Sequence, residues 1–312
     1  MRLAIIGGGA VGQYLAARLK QAKNGIACDV LMYRPRQETG LSVDSVDGDI
    51  SLPDFQWKSI SAAQPGDYDT FIITTKTTTM EPVGRFLAHV LFSSNMVWNT
   101  QNGWGNEDWL RRYTGHQNFG VMAVNFGVSR YSDSQLTHHV GNMAVLGGGS
   151  YSARSSMTRL LASAGMDVVE ADSEFCCRLR KLIWNVPFSG LALVTGRYPC
   201  DLANDPVQLK RIELIMSEIA RIAEHQGISI DQDYRQILLD YTKTIEPGWP
   251  SMVQDYQAGR LIEVEYIYQN LLKEAALLHI TTPHIRHLYH DIVKAMRRQY
   301  LDSGGSVGQM LR

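Results

Sequence analysis

Six residues near the start of the chain, Gly7-Gly8-Gly9-Ala10-Val11-Gly12, constrain the fold more than any other feature. They fit the pattern G-x-G-x-x-G, which taken alone is a weak signal. Here it follows an apolar run, Leu3–Ile6, that reads as a strand, and it opens a helical segment from Ala10 to Gln21. In that setting Gly7 permits a tight turn, Gly9 lets the backbone approach a pyrophosphate, and Gly12 lets the helix pack closely on the strand. The unpaired N–H groups of the helix N-terminus then face the phosphates. All six residues, Gly7, Gly8, Gly9, Ala10, Val11 and Gly12, are candidate cofactor contacts. The alternative is a glycine-rich turn with no ligand.

The rest of the first half alternates in the same way. Strands are expected at Asp29–Tyr33, Phe71–Thr75, Met96–Asn99, Phe119–Val124, Gln135–His139, Met143–Leu146 and Asp167–Val169, with a helix at Arg154–Ala164 before the last. Strands interleaved with helices imply an α/β unit of Rossmann type, a parallel sheet with helices on both faces. After residue 172 the apolar period becomes helical, over 174–196, 207–226, 232–246, 261–278 and 283–300. Pro206 suits the first turn of one such helix and Gly227 its stop. The 312 residues therefore divide into an α/β domain over 1–172 and an all-helical domain over 173–312.

Lys and Arg number 30 against 31 Asp and Glu, and neither half departs from neutrality by more than one charge. No basic field exists for nucleic acid or an anionic membrane. Cys28, Cys176, Cys177 and Cys200 form no C-x-x-C pair, so a reducing, cytoplasmic compartment is expected. The apolar stretch 182–196 lies between Lys181 and Arg197 and falls short of the roughly 20 residues a bilayer span needs, so it reads as a buried helix.

The end of the second strand bears on which dinucleotide is bound. An NAD site usually places Asp or Glu there for the ribose 2′-hydroxyl. This chain has Tyr33-Arg34-Pro35-Arg36, two guanidiniums where a 2′-phosphate would sit. Arginine suits phosphate through its planar fork and permanent charge, which favours NADPH over a pair of merely solvated cations. Lys76 and the turn Gln101-Asn102-Gly103-Trp104-Gly105 follow the next two strands, on the side where open α/β sheets bind ligands. Asn102 serves either nicotinamide ribose or substrate there, or the turn itself.

In the helical half, Lys181, Asn185 and Ser189 fall at i, i+4 and i+8 and share one face of an otherwise apolar helix. Such groups need partners, supplied either by neighbouring backbone or by a substrate carrying carboxylate and carbonyl oxygens. A desolvated lysine suits a general acid.

Together these segments resemble the ketopantoate reductases (2-dehydropantoate 2-reductases), NADPH enzymes of pantothenate synthesis. The resemblance rests on the glycine motif, Tyr33-Arg34, Thr75-Lys76, Gln101-Asn102-Gly103-Trp104-Gly105, Lys181-Leu182-Ile183-Trp184-Asn185, and Pro250-Ser251-Met252-Val253-Gln254-Asp255 running to Glu263-Val264-Glu265-Tyr266. It implies that Lys181 is the proton donor to the ketone oxygen and that Glu263 is the acidic residue beside nicotinamide ribose and substrate. It further implies that Asn102, Asn185 and Ser251 hold cofactor or substrate oxygens, and that Arg34 and Lys76 lie on the NADPH side. The implied reaction is hydride transfer to the C2 ketone of a 2-keto acid. Three departures bear on substrate recognition. Ser189, here a candidate substrate contact, and Gly248 stand where the family usually has asparagine, and Pro199-Cys200 replaces an Asn-Gly turn. Each removes an amide, worth roughly 1–3 kcal/mol at a buried site.

Three functions follow: reduction of ketopantoate, the same chemistry on another 2-keto acid or carbonyl compound, or a non-catalytic NADP(H) sensor. Keeping both Lys181 and Glu263 argues against the sensor. No metal site is expected, because His284, His287 and His290 step by three and drift around a helix. Small-molecule substrate, no nucleic acid, no membrane, and a homodimer through the helical domain complete the expectations.

Overall fold

A computed structural model describes residues 1–22 and 25–302. The chain divides into two compact units, Met1–Gln101 with Gly105–Cys177, and Asn102–Trp104 with Arg178 onward.

The first unit runs β1 (Arg2–Ile6), α1 (Ala10–Gln21), β2 (Ala27–Met32), β3 (Leu41–Ser45), β4 (Ile50–Leu52), β5 (Trp57–Ser59), β6 (Thr70–Ile73), α2 (Met80–Val90), β7 (Met96–Asn99), α3 (Asn106–Thr114), β8 (Phe119–Arg130), β9 (Gln135–Gly148), α4 (Tyr151–Ser163) and β10 (Asp167–Glu170). One sheet holds all ten strands in the order β4-β3-β9-β8-β7-β6-β1-β2-β5, with β10 beside β9. From β8 to β5 every pair is parallel. β1 sits where the order reverses, with β2 on one side and β6 on the other, the switch point at which such sheets bind ligands. Its Leu3, Ala4, Ile5 and Ile6 are wholly buried, as a central parallel strand covered on both faces requires. Ile6 pairs with Leu31 and Ile73, and Ile73 with Asn99, so four strands end along one edge.

The sheet is not parallel throughout. β8 and β9 form a long antiparallel hairpin, and β4 runs antiparallel to β3. The turn at 131–134 is too short for a crossover, so antiparallel pairing is the only option. The two strands expected at Gln135–His139 and Met143–Leu146 are one strand, which continues through Gly141 at φ 76°. The three-residue strands β4 and β5 carry no apolar run long enough to be read from sequence.

The second unit holds the part of α5 (Glu174–Thr195) from Arg178, then α6 (Pro199–Asn204), α7 (Pro206–His225), α8 (Gln232–Thr244), α9 (Ser251–Gln257), a π-helical turn (Glu265–Gln269) leading into α10 (Asn270–Leu277), and α11 (Pro283–Asp302). No strand occurs among its described residues. Leu182, Ile183, Val186, Phe188 and Leu191 of α5 pack in one core with Ile212, Ile215, Ile219 and Ile222 of α7 and Ile285, Leu288 and Ile292 of α11. Two helix starts are satisfied by side-chain carboxylates. The Asp205 side chain accepts from the Val207 and Gln208 N–H groups at the start of α7, and buried Glu218 accepts from those of His284 and Ile285 at the start of α11. Among the described residues no helix is long and apolar enough to cross a membrane.

Candidate active site

In the first unit, the glycine turn leaves β1 at the switch point. Gly7 adopts φ 119°, and its carbonyl accepts from the Thr74 hydroxyl at 2.9 Å. A Cβ on Gly12 would strike the Gly7 carbonyl and that same hydroxyl, and one on Gly8 would strike the Met32 side chain. Gly9 differs, because its Cβ would meet no protein atom within 4 Å. Packing inside the unit therefore accounts for Gly8 and Gly12, whereas the space beside Gly9 is open. Gly9 caps α1 without a side-chain acceptor, and the first turn carries no acidic residue. The Ala10, Val11 and Gly12 N–H groups, orphans of any helix start, lie at this end.

The two arginines after β2 part company. Arg34 is exposed and makes no hydrogen bond or ion pair among the described residues. Arg36, with only 9% of its side chain exposed, pairs with Asp133 at 3.3 Å and donates to the Gly8 carbonyl and to Gln13 Oε1, both at 3.3 Å. Its guanidinium also lies 4.8 Å from the Trp57 ring centre. Burial pulls its pKa down, against the opposing pull of Asp133. The expectation of two guanidiniums open to a phosphate is thus corrected to one, because Arg36 braces the glycine turn. Lys76 follows β6, half-buried, at the cap of a short 3-10 turn. Beyond β7, Asn99 fixes the next turn, accepting from the Gln101 N–H and donating to Glu107, each at 2.9 Å.

In the second unit, Lys181 and Asn185 are half-buried on α5 and Ser189 is buried. Asn185 Nδ2 donates to Asn102 Oδ1 at 3.4 Å, and Asn102 Nδ2 donates to Glu263 Oε2 at 3.4 Å. Glu263 is only 6% exposed. Three residues from distant segments thus form a single hydrogen-bonded row, next to the helical turn that carries Lys181. The Ser189 hydroxyl makes no hydrogen bond among the described residues. Ser251 stands exposed as the first residue of α9 and is not hydrogen-bonded to the row.

The remaining sequence candidates lie apart. His284, His287 and His290 are exposed on α11, His287 paired with Asp291. Among the described residues no group of three or more His, Cys, Asp or Glu could hold a metal ion. All four cysteines are buried and none is in a disulfide, and burial pushes the Cys28 thiol up to about 12. Thr74, Asn99 and Glu107 were not foreseen, since nothing in their local sequence marks them as clamps.

Comparison with known proteins decides the family. A model described as "Ketopantoate reductase PanE/ApbA" matches residues 3–150, and one described as "Ketopantoate reductase PanE/ApbA C terminal" matches residues 176–296. The chain belongs to the ketopantoate reductase family. It is 27% identical to a 2-dehydropantoate 2-reductase of a Nostoc species, across 99% of this chain and 98% of that one. A 2-dehydropantoate 2-reductase structure from Geobacter metallireducens is 25% identical, with a TM-score of 0.88 over 95% of this chain and 100% of that one. A D-mandelate dehydrogenase solved with NADH and anilino(oxo)acetate shares the fold at 20% identity, with a TM-score of 0.83 over 96% and 99% of the two chains.

As a ketopantoate reductase family member the chain is an NADPH-dependent oxidoreductase acting on the keto group of a 2-keto acid. The first unit fits that cofactor. An uncapped helix start, open space at Gly9 and an uncommitted arginine beyond β2 are features a phosphorylated dinucleotide uses.

Proposed function

We propose that this enzyme reduces 2-dehydropantoate to pantoate, with Lys181 as general acid. The observation that carries the reading is the row Asn185, Asn102 and Glu263 beside Lys181: two amides, a carboxylate and a cation in a unit whose hydrophobic core is largely leucine and isoleucine. NADPH, when bound, supplies hydride to C2 of the keto acid. Lys181 gives a proton from Nζ to the C2 oxygen as charge develops there, and water returns it. The amides of Asn185 and Asn102 hold carboxylate and keto oxygens, and Ser189 and Ser251 offer hydroxyls to the substrate. Glu263 accepts from a ribose or substrate hydroxyl. In the first unit Gly7, Gly8, Gly9, Ala10, Val11 and Gly12 hold the pyrophosphate, Arg34 the 2′-phosphate, and Lys76 a further cofactor oxygen.

A second reading keeps the chemistry and changes the keto acid. Ser189 favours it. A hydroxyl replaces the amide usual in the family, which shortens the reach and leaves a buried polar group for a differently substituted C3. The protein named D-mandelate dehydrogenase is built on the same fold. Following NADPH oxidation with a panel of 2-keto acids separates the readings, with Lys181→Ala as control. The proposal expects 2-dehydropantoate to be turned over at least as well as any other. A strong preference for another keto acid establishes the second reading. NADPH binding without turnover of any of them leaves a sensor. Lys181→Ala should lower kcat by roughly 10²–10⁴ with NADPH affinity kept, and an undiminished rate removes its role.

A further inference from the structure

The row that carries the proposed function depends on where Asn102 is held, and the bonds that join it to Asn185 and Glu263 are long, 3.4 Å each. Such bonds do not fix an amide firmly. Shorter ones hold the segment Asn102–Trp104 nearby. The Trp104 N–H donates to the Tyr266 carbonyl at 2.8 Å, and Asn270 Nδ2 donates to the Trp104 carbonyl at 3.1 Å. Trp104 is therefore gripped by its backbone at both ends, and its indole is buried in the helical core.

The π-helical turn makes the first of these bonds available. Within it the Asn270 N–H donates to the Glu265 carbonyl, five residues back. In an α-helix that same N–H would be spent on Tyr266. The extra residue releases the Tyr266 carbonyl, and the Trp104 N–H takes it. Gly103 completes the fit at φ 104°, where a Cβ would lie 2.6 Å from the Tyr266 carbonyl carbon and oxygen. No residue with a side chain can lie so flat against the turn.

We infer that Asn270, acting through Trp104, is a positioning residue that with the π-helical turn latches the segment 102–104 so that the Asn102 amide stays between Asn185 and Glu263. The inference rests on the proposed role of that row. Its test uses Asn102→Ala, Asn270→Ala and the double variant in the full-length enzyme, with Asn270→Asp keeping the size and removing the donor. The substrate is the 2-keto acid of the panel that turns over fastest. Each single variant should lower kcat/KM about tenfold, and the double variant no further, because both remove one interaction. A double loss of about a hundredfold overturns the latch. So does wild-type kcat/KM in both Asn270 variants beside an impaired Asn102→Ala, which leaves the role of the row standing. An undiminished Asn102→Ala overturns row and latch together. A readout free of turnover is the Asn102 side-chain amide resonance, assigned as the pair lost in Asn102→Ala. In Asn270→Ala with no ligand it should move toward its solvent position, and an unmoved resonance overturns the inference.

Discussion

Two glycines of the same motif separate folding from cofactor binding. At Gly12 an added methyl must displace the Gly7 carbonyl or the Thr74 hydroxyl, and it also lies 3.2 Å from Ile5 Cγ2. Those groups are hydrogen-bonded to each other and packed between β1 and β6, so none yields easily. Overpacking of this kind costs about 1–3 kcal/mol. For a unit of this size each kcal/mol lowers Tm by roughly 2–4 °C. Gly9→Ala meets nothing within 4 Å, and its backbone, at φ −76° and ψ −178°, is one any residue adopts. Two small effects oppose each other there. Alanine is a poorer helix cap, by up to about 1 kcal/mol, and it restricts the unfolded chain, gaining about 0.4–1 kcal/mol. Its Tm should stay within about 3 °C of the parent. Its methyl nevertheless occupies the space through which a pyrophosphate reaches the α1 N–H groups. Losing one or two hydrogen bonds to a charged oxygen, at about 1.5–3 kcal/mol each, should raise the NADPH Kd at least tenfold. Thermal melts and a fluorescence titration with NADPH decide the matter. If Gly9→Ala binds NADPH as the parent does, or melts as low as Gly12→Ala, the division of labour is wrong.

Arg34→Ala should weaken NADPH binding about tenfold and NADH binding little, since an exposed guanidinium–phosphate contact is partly screened; equal losses for the two cofactors would sink the 2′-phosphate assignment. His116 is buried, with Nε2 3.0 Å from the Asn95 carbonyl, and burial lowers its pKa. The native state therefore takes up a proton less readily than the unfolded chain, so stability is full above pH of about 6.5 and declines as pH falls below it, by at most about 1.4 kcal/mol per pH unit. Replacing it in His116→Gln should flatten the fall of Tm between neutral and mildly acidic pH, and a slope as steep as the parent's would refute the assignment.

The elements that the sequence revealed are those in which one pattern settles the matter. β1, α1 and β7 are apolar runs or periodic segments of ordinary length, and the long helices α5, α7 and α11 repeat isoleucine and leucine at helical spacing. The short elements were hidden, and so were β3, α2 and α3. β4 and β5 have three residues each, and α6 and α9 have six and seven, fewer than two helical turns. Within the candidate site, Lys181 and Asn185 were legible as a pair because helical spacing alone places them on one face. That Asn102 and Glu263 join them was implied only by family resemblance, since no local rule brings residues 102, 185 and 263 together. Arg36 shows the opposite failure. Its position after β2 suggested a ligand, but Asp133, far along the chain, claims it.

The π-helical turn also ties the other members of the row. Such turns are rare interruptions of the α-helical ladder and persist where something offsets them. Here the offset is visible on both sides. The fully buried Tyr268 donates its hydroxyl to the Val186 carbonyl at 2.9 Å, next to Asn185, and Gly190 leaves the space that hydroxyl needs. The Ile267 N–H donates to the Glu263 carbonyl at 3.1 Å, which anchors the carboxylate-bearing residue to the start of the same turn. Asn185, Asn102 and Glu263 come from three segments, yet each is braced within one or two residues by Tyr268, Tyr266 with Asn270, or Ile267. The irregular turn thus serves as the common support of the row, and the rigidity that long 3.4 Å contacts lack comes from the shorter bonds behind them.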